Sequence, residues 1–443
     1  MTEGPIEEEH EHPRKHERPP DRDKTETTKI AASQQPPDEP NDEEAGHRTR
    51  VMLLGSGELS RELVIAFQRL GAEVIAVERS ADAPAHGIAD QAVVVDMTNR
   101  DELAAMIGRL QPNFVVTVTD AVAADALNAA AETGFAELVP GARSVRLTAD
   151  REGLRRLAAD ELGLPTAPFW FAGSLDELRA VAAHAGFPLR VQPVAVTAGQ
   201  GQSVMVRPND IEPAWQRAVA ASGPGAPTRV LAETVVEIDF HVTLLTVRSY
   251  GPAGSVIEFC APIGHGDVGG DTLESWQPQQ MSAAALDAAK SIAARIVKAL
   301  GGRGVFGVEL MVRGDEVYFS DVTARPYESG LVTLRTQRLS EFELAARAVL
   351  GLAVDTIMIS PGAAQVICPG GEAADAALGT KPGAASALVD ALGVPESDVR
   401  VFRHLEPDRP RRLGVALATA PDLKAARDRA RQVAAALRRL WRP

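Results

Sequence analysis

The sequence has almost no cysteine, few aromatics and no long apolar run, and each lack removes a class of protein. Two cysteines, Cys260 and Cys368, among 443 residues make neither a disulfide framework nor a thiolate metal cluster. No apolar stretch approaches the roughly 18–20 residues that span a bilayer. The charged, proline-rich start carries no apolar signal segment. Positive charge is scarce as well. The formal net charge is −14, and a nucleic-acid partner would want a basic face. No Cys–His or Ser–His arrangement suggests a covalent nucleophile. The expectation is a cytoplasmic protein with neither membrane nor nucleic-acid partners.

What is present begins with an unusual first segment. Residues 1–48 hold 14 acids and 7 bases, together with four of the nine histidines. So polar a stretch buries too little apolar surface to offset the entropy of ordering, and it reads as a disordered tail. Glu9-His10-Glu11-His12 within it reads as solvated tail rather than as a metal site. From Val51 the pattern changes to strand–helix alternation: Val51–Leu54, a helix from about Leu59, Glu73–Val77, Ala92–Val95 and Phe114–Thr117 with helices between. That is the signature of a doubly wound parallel sheet, an α/β fold. After Arg151 the spacing predicts strands at Leu189–Val196, Ser203–Arg207, Val230–Glu233, Thr243–Val247 and Ser255–Cys260, continuing one sheet. A long helix over about Ala283–Leu300 follows, and the last ~90 residues read as a small third domain. The expected domains are 49–150, 151–352 and 353–443.

Three motifs carry chemistry. Phe306-Gly307-Val308-Glu309-Leu310 and Phe319-Ser320-Asp321-Val322-Thr323 place one acid each in alternating apolar runs, with Gly314-Asp315 as turn material. A hairpin there aims Glu309 and Asp321 at one spot, which suits Mg²⁺ bridging nucleotide phosphates, or else is a solvent-facing pair. Gly55-Ser56-Gly57-Glu58-Leu59-Ser60 follows a strand and opens a helix. It fits a dinucleotide fingerprint poorly, since Ser60 stands at the third glycine, and a purely structural tight turn is the plain alternative. Thr197-Ala198-Gly199-Gln200-Gly201-Gln202 is a glycine loop between two strands, able to close over phosphates.

The order of these motifs resembles the ATP-grasp ligases. With Arg151-Glu152-Gly153-Leu154, Glu274-Ser275-Trp276-Gln277-Pro278 and Arg411-Arg412-Leu413-Gly414, the resemblance narrows to formate-dependent phosphoribosylglycinamide formyltransferases. It runs from about residue 49 to the C-terminus. It implies a three-domain ATP-grasp architecture, ATP and Mg²⁺ as cofactors, formate and glycinamide ribonucleotide as small-molecule substrates, and a homodimer. It implies nucleotide binding by Arg151, Gln192, Thr197, Ala198, Gly199, Gln200, Gly201, Gln202, Glu233, Thr234, Val235, Val236 and His241. Glu58, Leu59, Val118, Glu328, His404, Arg411 and Arg412 would meet the substrate, Glu309 and Asp321 the metal. Arg325 and Gln200 would be catalytic.

Several of these positions differ from the family pattern. Gln192 and Gln200 stand where the family has lysines, His241 and Val118 where it has glutamates, and Asp321 replaces a glutamate. Tyr327-Glu328 replaces His-Asp, and His404 a lysine. Neutral amides supply no charge against a transferring phosphoryl group, so the expectation is a nucleotide pocket short of two cations. The sequence therefore leaves three readings open: the formyltransferase, an ATP-grasp ligase for another carboxylate and amine, or a non-catalytic homologue that binds ligand or partner.

Overall fold

The computed structural model describes residues 48–134, 136–194, 201–222, 228–251, 254–267, 272–368, 384–402 and 412–441. The tail expected over 1–48 lies, save for its last residue, outside them. Three sheets organise the described residues. The first holds β1 (Arg50–Leu54), β2 (Glu73–Glu78), β3 (Gln91–Val94), β4 (Phe114–Thr117) and β5 (Glu137–Val139), in the order β3-β2-β1-β4-β5 with every pair parallel. β1 is buried on both faces, as a central parallel strand covered by helices must be. Helices Glu58–Arg69, Arg100–Leu110 and Ala124–Thr133 make the crossovers, and Asn99 caps the second by accepting from the backbone N–H groups of Asp101 and Glu102. This is the doubly wound fold that the alternation predicts.

The strand-rich middle is two sheets, not the single continuing one expected from the sequence. β6 (Phe169–Ala172), β7 (Leu189–Pro193), β8 (Ser203–Met205) and β9 (Val230–Thr234) form an antiparallel sheet of their own, ordered β6-β9-β7-β8. Helices Leu175–Ala185 and Ile211–Ser222 cover one face of it through Leu178, Ala182, Ala214 and Ala218. The other sheet contains β10 (Phe240–Gly251), β11 (Gly254–Phe259), β12 (Ile263–Asp267), β13 (Thr272–Gln277), β14 (Gly304–Arg313), β15 (Glu316–Thr323), β16 (Gly362–Ile367), β17 (Ser397–Val401) and β18 (Gly414–Thr419). Its order is β15-β14-β10-β12-β13-β16-β18-β17, with β11 beside β10. Strand periodicity alone gives no partner, so it could not separate the two sheets.

Among the described residues, the segment expected as a small third domain has no sheet of its own. β13 pairs antiparallel with β16 from Thr272↔Ile367 to Gln277↔Gly362, so the C-terminal strands extend the large sheet. The helix Ala283–Leu300 packs on β10, β14 and β15 through Ala289, Ile292, Ile296 and Val297, matching its expected span. The C-terminal helix Leu423–Leu437 covers β16 and β18 through Ala430, Val433 and Leu437. No helix among the described residues is long and apolar enough to cross a membrane.

Candidate functional site

β14 and β15 form the hairpin read from the sequence, and their register sets Glu309 directly opposite Asp321. A β-bulge follows at Glu309/Leu310, a device that re-aims side chains. Both carboxyls are pushed toward the neutral form. Burial raises Glu309 to about 7, helped by the nearby charges of Asp321 and Glu328. Burial also raises Asp321, against the pull of Arg155 and Arg151. Two acids forced together out of water favour a divalent cation, which removes the repulsion that protonation otherwise relieves. No group of three or more metal-ligating side chains occurs among the described residues. An ion held by this pair would complete its shell with ligand oxygens and water, which is how Mg²⁺ commonly sits beside phosphates. The residues present fit the ion.

Facing the pair is a cluster of guanidinium groups, only one of which the sequence reading included. Arg151 opens the helix Arg151–Arg156 and donates to the Gln192 side-chain oxygen at 3.2 Å and the Pro193 carbonyl at 3.3 Å. Arg155, one turn later, pairs with Glu233 at 2.6 Å and donates to the Phe319 carbonyl at 3.3 Å. That arginine thereby ties β9 of the small sheet to β15 of the large one. Arg190 on β7 donates to Glu233 at 2.8 Å, and the Gln192 amide donates to the same carboxylate oxygen at 3.3 Å. Glu233 is fully buried, which a carboxylate tolerates only when paired and hydrogen-bonded. Besides Arg151 the site thus holds Arg155 and Arg190, neither of which was read as a site residue from the sequence. Spacing could have found both: Arg155 is i+4 from Arg151 on one helix face, and Arg190 is i−2 from Gln192 on one strand face.

Beyond Glu233 the chain leaves β9 through Thr234, whose N–H donates to the Pro168 carbonyl at 2.9 Å, and Val235, whose N–H donates to the Pro188 carbonyl at 3.2 Å. Val235 is exposed and Val236 half-buried. His241 on β10 lies opposite His265 on β12, with ring centroids 6.0 Å apart and planes at 28°. Burial pushes His265 down to about 4, and its Nε2 has no hydrogen-bond partner among the described residues. This second histidine was missed because nothing in its own strand marks it. Thr197, Ala198, Gly199 and Gln200 lie outside the described residues. Gly201 has φ +69°, and a Cβ there would stand 2.5 Å from the Ala221 methyl, so the turn back into β8 needs glycine. Gln202 sits at the entry to β8 and is exposed.

A second polar cluster continues from the carboxylate pair. Thr243, opposite Glu309 on β10, bonds through its hydroxyl to that of Ser329 at 3.0 Å. Ser329 belongs to the 3₁₀ turn Glu328–Val332, which lies across β10, β12, β13 and β16. Arg412, just before β18, pairs with Glu328 and reaches Glu58 at 3.5 Å. Glu58 opens the first helix of the parallel-sheet domain, so this arginine joins three separate stretches of chain. Leu59, next to it, is half-buried and packs against the core. Val118 backs the Gly55 turn, where a Cβ on Gly55 would approach its side chain to 3.2 Å. Asp120 is engaged by Arg325 through two hydrogen bonds. Burial raises the Tyr327 hydroxyl above its ordinary range, so it stays protonated. Beneath the turn, fully buried Glu341 accepts from the Tyr327 N–H at 3.0 Å, and burial pushes its carboxyl up to about 8. His404 and Arg411 lie outside the described residues.

A parallel-sheet domain, an antiparallel clamp and a larger sheet with paired acids on its β14–β15 edge hairpin define the ATP-grasp class. Family models agree: "Ribonucleotide synthetase preATP-grasp domain" matches residues 49–149, "ATP-grasp domain" 157–342, and "PurT, C-terminal" 362–437. The formate-dependent phosphoribosylglycinamide formyltransferase of Burkholderia pseudomallei strain 668 is 51% identical over 392 residues, 88% of this chain and 95% of the relative. The glycinamide transformylase T structure from Mycobacterium tuberculosis is 63% identical, with a TM-score of 0.74 over 88% of this chain and 99% of that one. Carboxyaminoimidazole ribonucleotide synthase from Aspergillus clavatus, solved with ATP, shares the fold at 21% identity and a TM-score of 0.74, over 89% and 99% of the two chains. The chain belongs to the formate-dependent phosphoribosylglycinamide formyltransferase family.

Proposed function

We propose that the protein uses ATP to join formate to the amine of glycinamide ribonucleotide, in purine biosynthesis. The observation that carries this reading is the continuity of two clusters: paired acids facing guanidiniums on one side, and the Glu58–Arg412–Glu328 bridge on the other. A formate oxygen attacks the γ-phosphorus, ADP leaves, and formyl phosphate forms. The substrate amine then attacks the formyl carbon, phosphate leaves, and the amine loses a proton. Such a sequence needs charge neutralisation, in-line positioning and exclusion of water. Mg²⁺ held by Glu309 and Asp321 would neutralise phosphate charge. Arg151, Gln192, the loop 197–202, Glu233–Val236 and His241 would hold the nucleotide. Arg325 and Gln200 would act at the transferring group. Glu58, Leu59, Val118, Glu328, His404, Arg411 and Arg412 would border the ribonucleotide.

Family resemblance also supports a cytoplasmic homodimer and functional domains at about 49–150, 151–352 and 353–443, preceded by the polar tail. ADP release dependent on both formate and glycinamide ribonucleotide tests the reading. Release with a different carboxylate instead would make the chain a ligase of other specificity. ATP binding without any release would make it a binding homologue.

A further inference from the structure

We propose that Arg190 is a nucleotide-binding cation of this site, serving the phosphate chain of a nucleoside triphosphate; the inference rests on the ATP-dependent reading above. Arg190 and Gln192 stand two residues apart on β7, so their side chains leave the same face, opposite Leu189 and Val191, which enter the core. Gln192 is already committed at both ends, accepting from Arg151 and donating to Glu233. Arg190 is not. One terminal nitrogen donates to Glu233 at 2.8 Å, while its Nε is buried with no hydrogen-bond partner among the described residues. A buried donor left unpaired is costly, and a guanidinium donor doubly so. An incoming anion supplies the missing acceptor.

Charge argues in the same direction. Glu233 is already paired by Arg155 at 2.6 Å, so its single negative charge does not require Arg190. Two guanidiniums on one carboxylate leave a positive surplus around Glu233. Arg190 keeps 26% of its side chain exposed, against 7% for Arg155, so of the two it is the one an entering ligand can reach. Arg155 joins that same Glu233 to the Phe319 carbonyl on β15, the strand that carries Asp321, so Arg190 stands on the side of the clamp that meets the acid pair. A polyphosphate bridging that pair through a cation would lie in the field of Arg190. Planar guanidinium donors match phosphate oxygens two at a time.

The test compares MgATP and adenosine binding by calorimetry in the full chain and in Arg190→Gln. MgATP affinity is expected to fall at least about tenfold while adenosine affinity stays within about twofold, because the lost contact is to phosphate. Arg190→Lys should recover part of the loss, keeping the charge without the fork. If Arg190→Gln does not melt cooperatively, Arg190→Lys carries the test, with MgATP about threefold weaker or more and adenosine unchanged. Equal loss for both ligands would overturn the inference, since Arg190 would then act only by holding Glu233. Unchanged MgATP affinity would overturn it as well. A parent protein that binds no MgATP would overturn the ATP-dependent reading itself, and this inference with it.

Discussion

Arg325 and Asp120 form a bidentate pair, the two terminal nitrogens of the arginine donating at 2.5 and 2.8 Å to the two carboxylate oxygens. The partners come from different sheets: Arg325 lies two residues beyond β15, and Asp120 three beyond β4. Asp120 is half exposed, so the pair stabilises the fold by no more than about 1 kcal/mol. Its larger effect is to fix the direction of one guanidinium. Arg325→Lys keeps the charge and loses the fork. The expected outcome is formate-dependent ADP release at least about tenfold slower, with a melting temperature within a few degrees of the parent; a thermal melt beside a rate assay checks both.

Glu309→Gln separates stability from function. The carboxyl is already raised to about 7 by burial and its acidic neighbours, so an amide of the same shape replaces a group close to neutral. Melting temperature is expected to hold or rise. MgATP affinity is expected to fall at least about tenfold, since a neutral amide replaces a charged oxygen ligand. Unchanged MgATP affinity would place the metal elsewhere.

Gln192→Lys adds a cation to the pocket, which charge alone would count as a repair. The structure predicts the opposite. The glutamine oxygen accepts from Arg151 and its amide donates to Glu233, so lysine removes the acceptor and sets an ammonium among Arg151, Arg155 and Arg190. The expected outcome is a loss of roughly 1–3 kcal/mol in stability and weaker, not stronger, MgATP binding. Thermal melts and calorimetry on the single variant decide it.

Glu341 makes stability depend on pH in an unusual direction. Its folded carboxyl is raised to about 8, mainly by burial, from an ordinary value of 4.5. The protonated form is therefore the one the fold prefers. Its stabilisation is complete below about pH 4.5 and is lost progressively as pH rises toward 8. Glu341→Gln removes that slope. Between pH 5 and 8.5 the variant should gain on the parent by up to roughly 4 kcal/mol. Parallel melting curves at the two pH values check the sign; a constant difference would show that Glu341 is ionised throughout.

The sequence revealed what depends on local pattern and hid what depends on partners. The Glu309–Asp321 hairpin was legible because alternation, a Gly-Asp turn and two acids coincide within eighteen residues of chain. The helix Ala283–Leu300 was legible from its periodicity. The split between the two antiparallel sheets was not, since nothing in β9 says whether β7 or β10 is its neighbour. Arg190 looked like an ordinary alternating strand residue until Glu233 appeared opposite it. Glu341 carries no mark in the sequence beyond being an acid in the first turn of a helix, and only the turn packed over it makes it a buried carboxyl.

The pairing of β13 with β16 bears on how the chain can be cut. Removing everything after the Glu341–Val349 helix would strip β13 of six facing residues, Gly362 to Ile367, and uncover Trp276, which now lies 4.0 Å beneath the Arg427 guanidinium. An open strand of that length is a template for pairing with other chains. A C-terminally shortened protein is therefore expected to precipitate or form assemblies rather than persist as a soluble, ATP-binding fragment, and light scattering during expression would reveal it before any assay could.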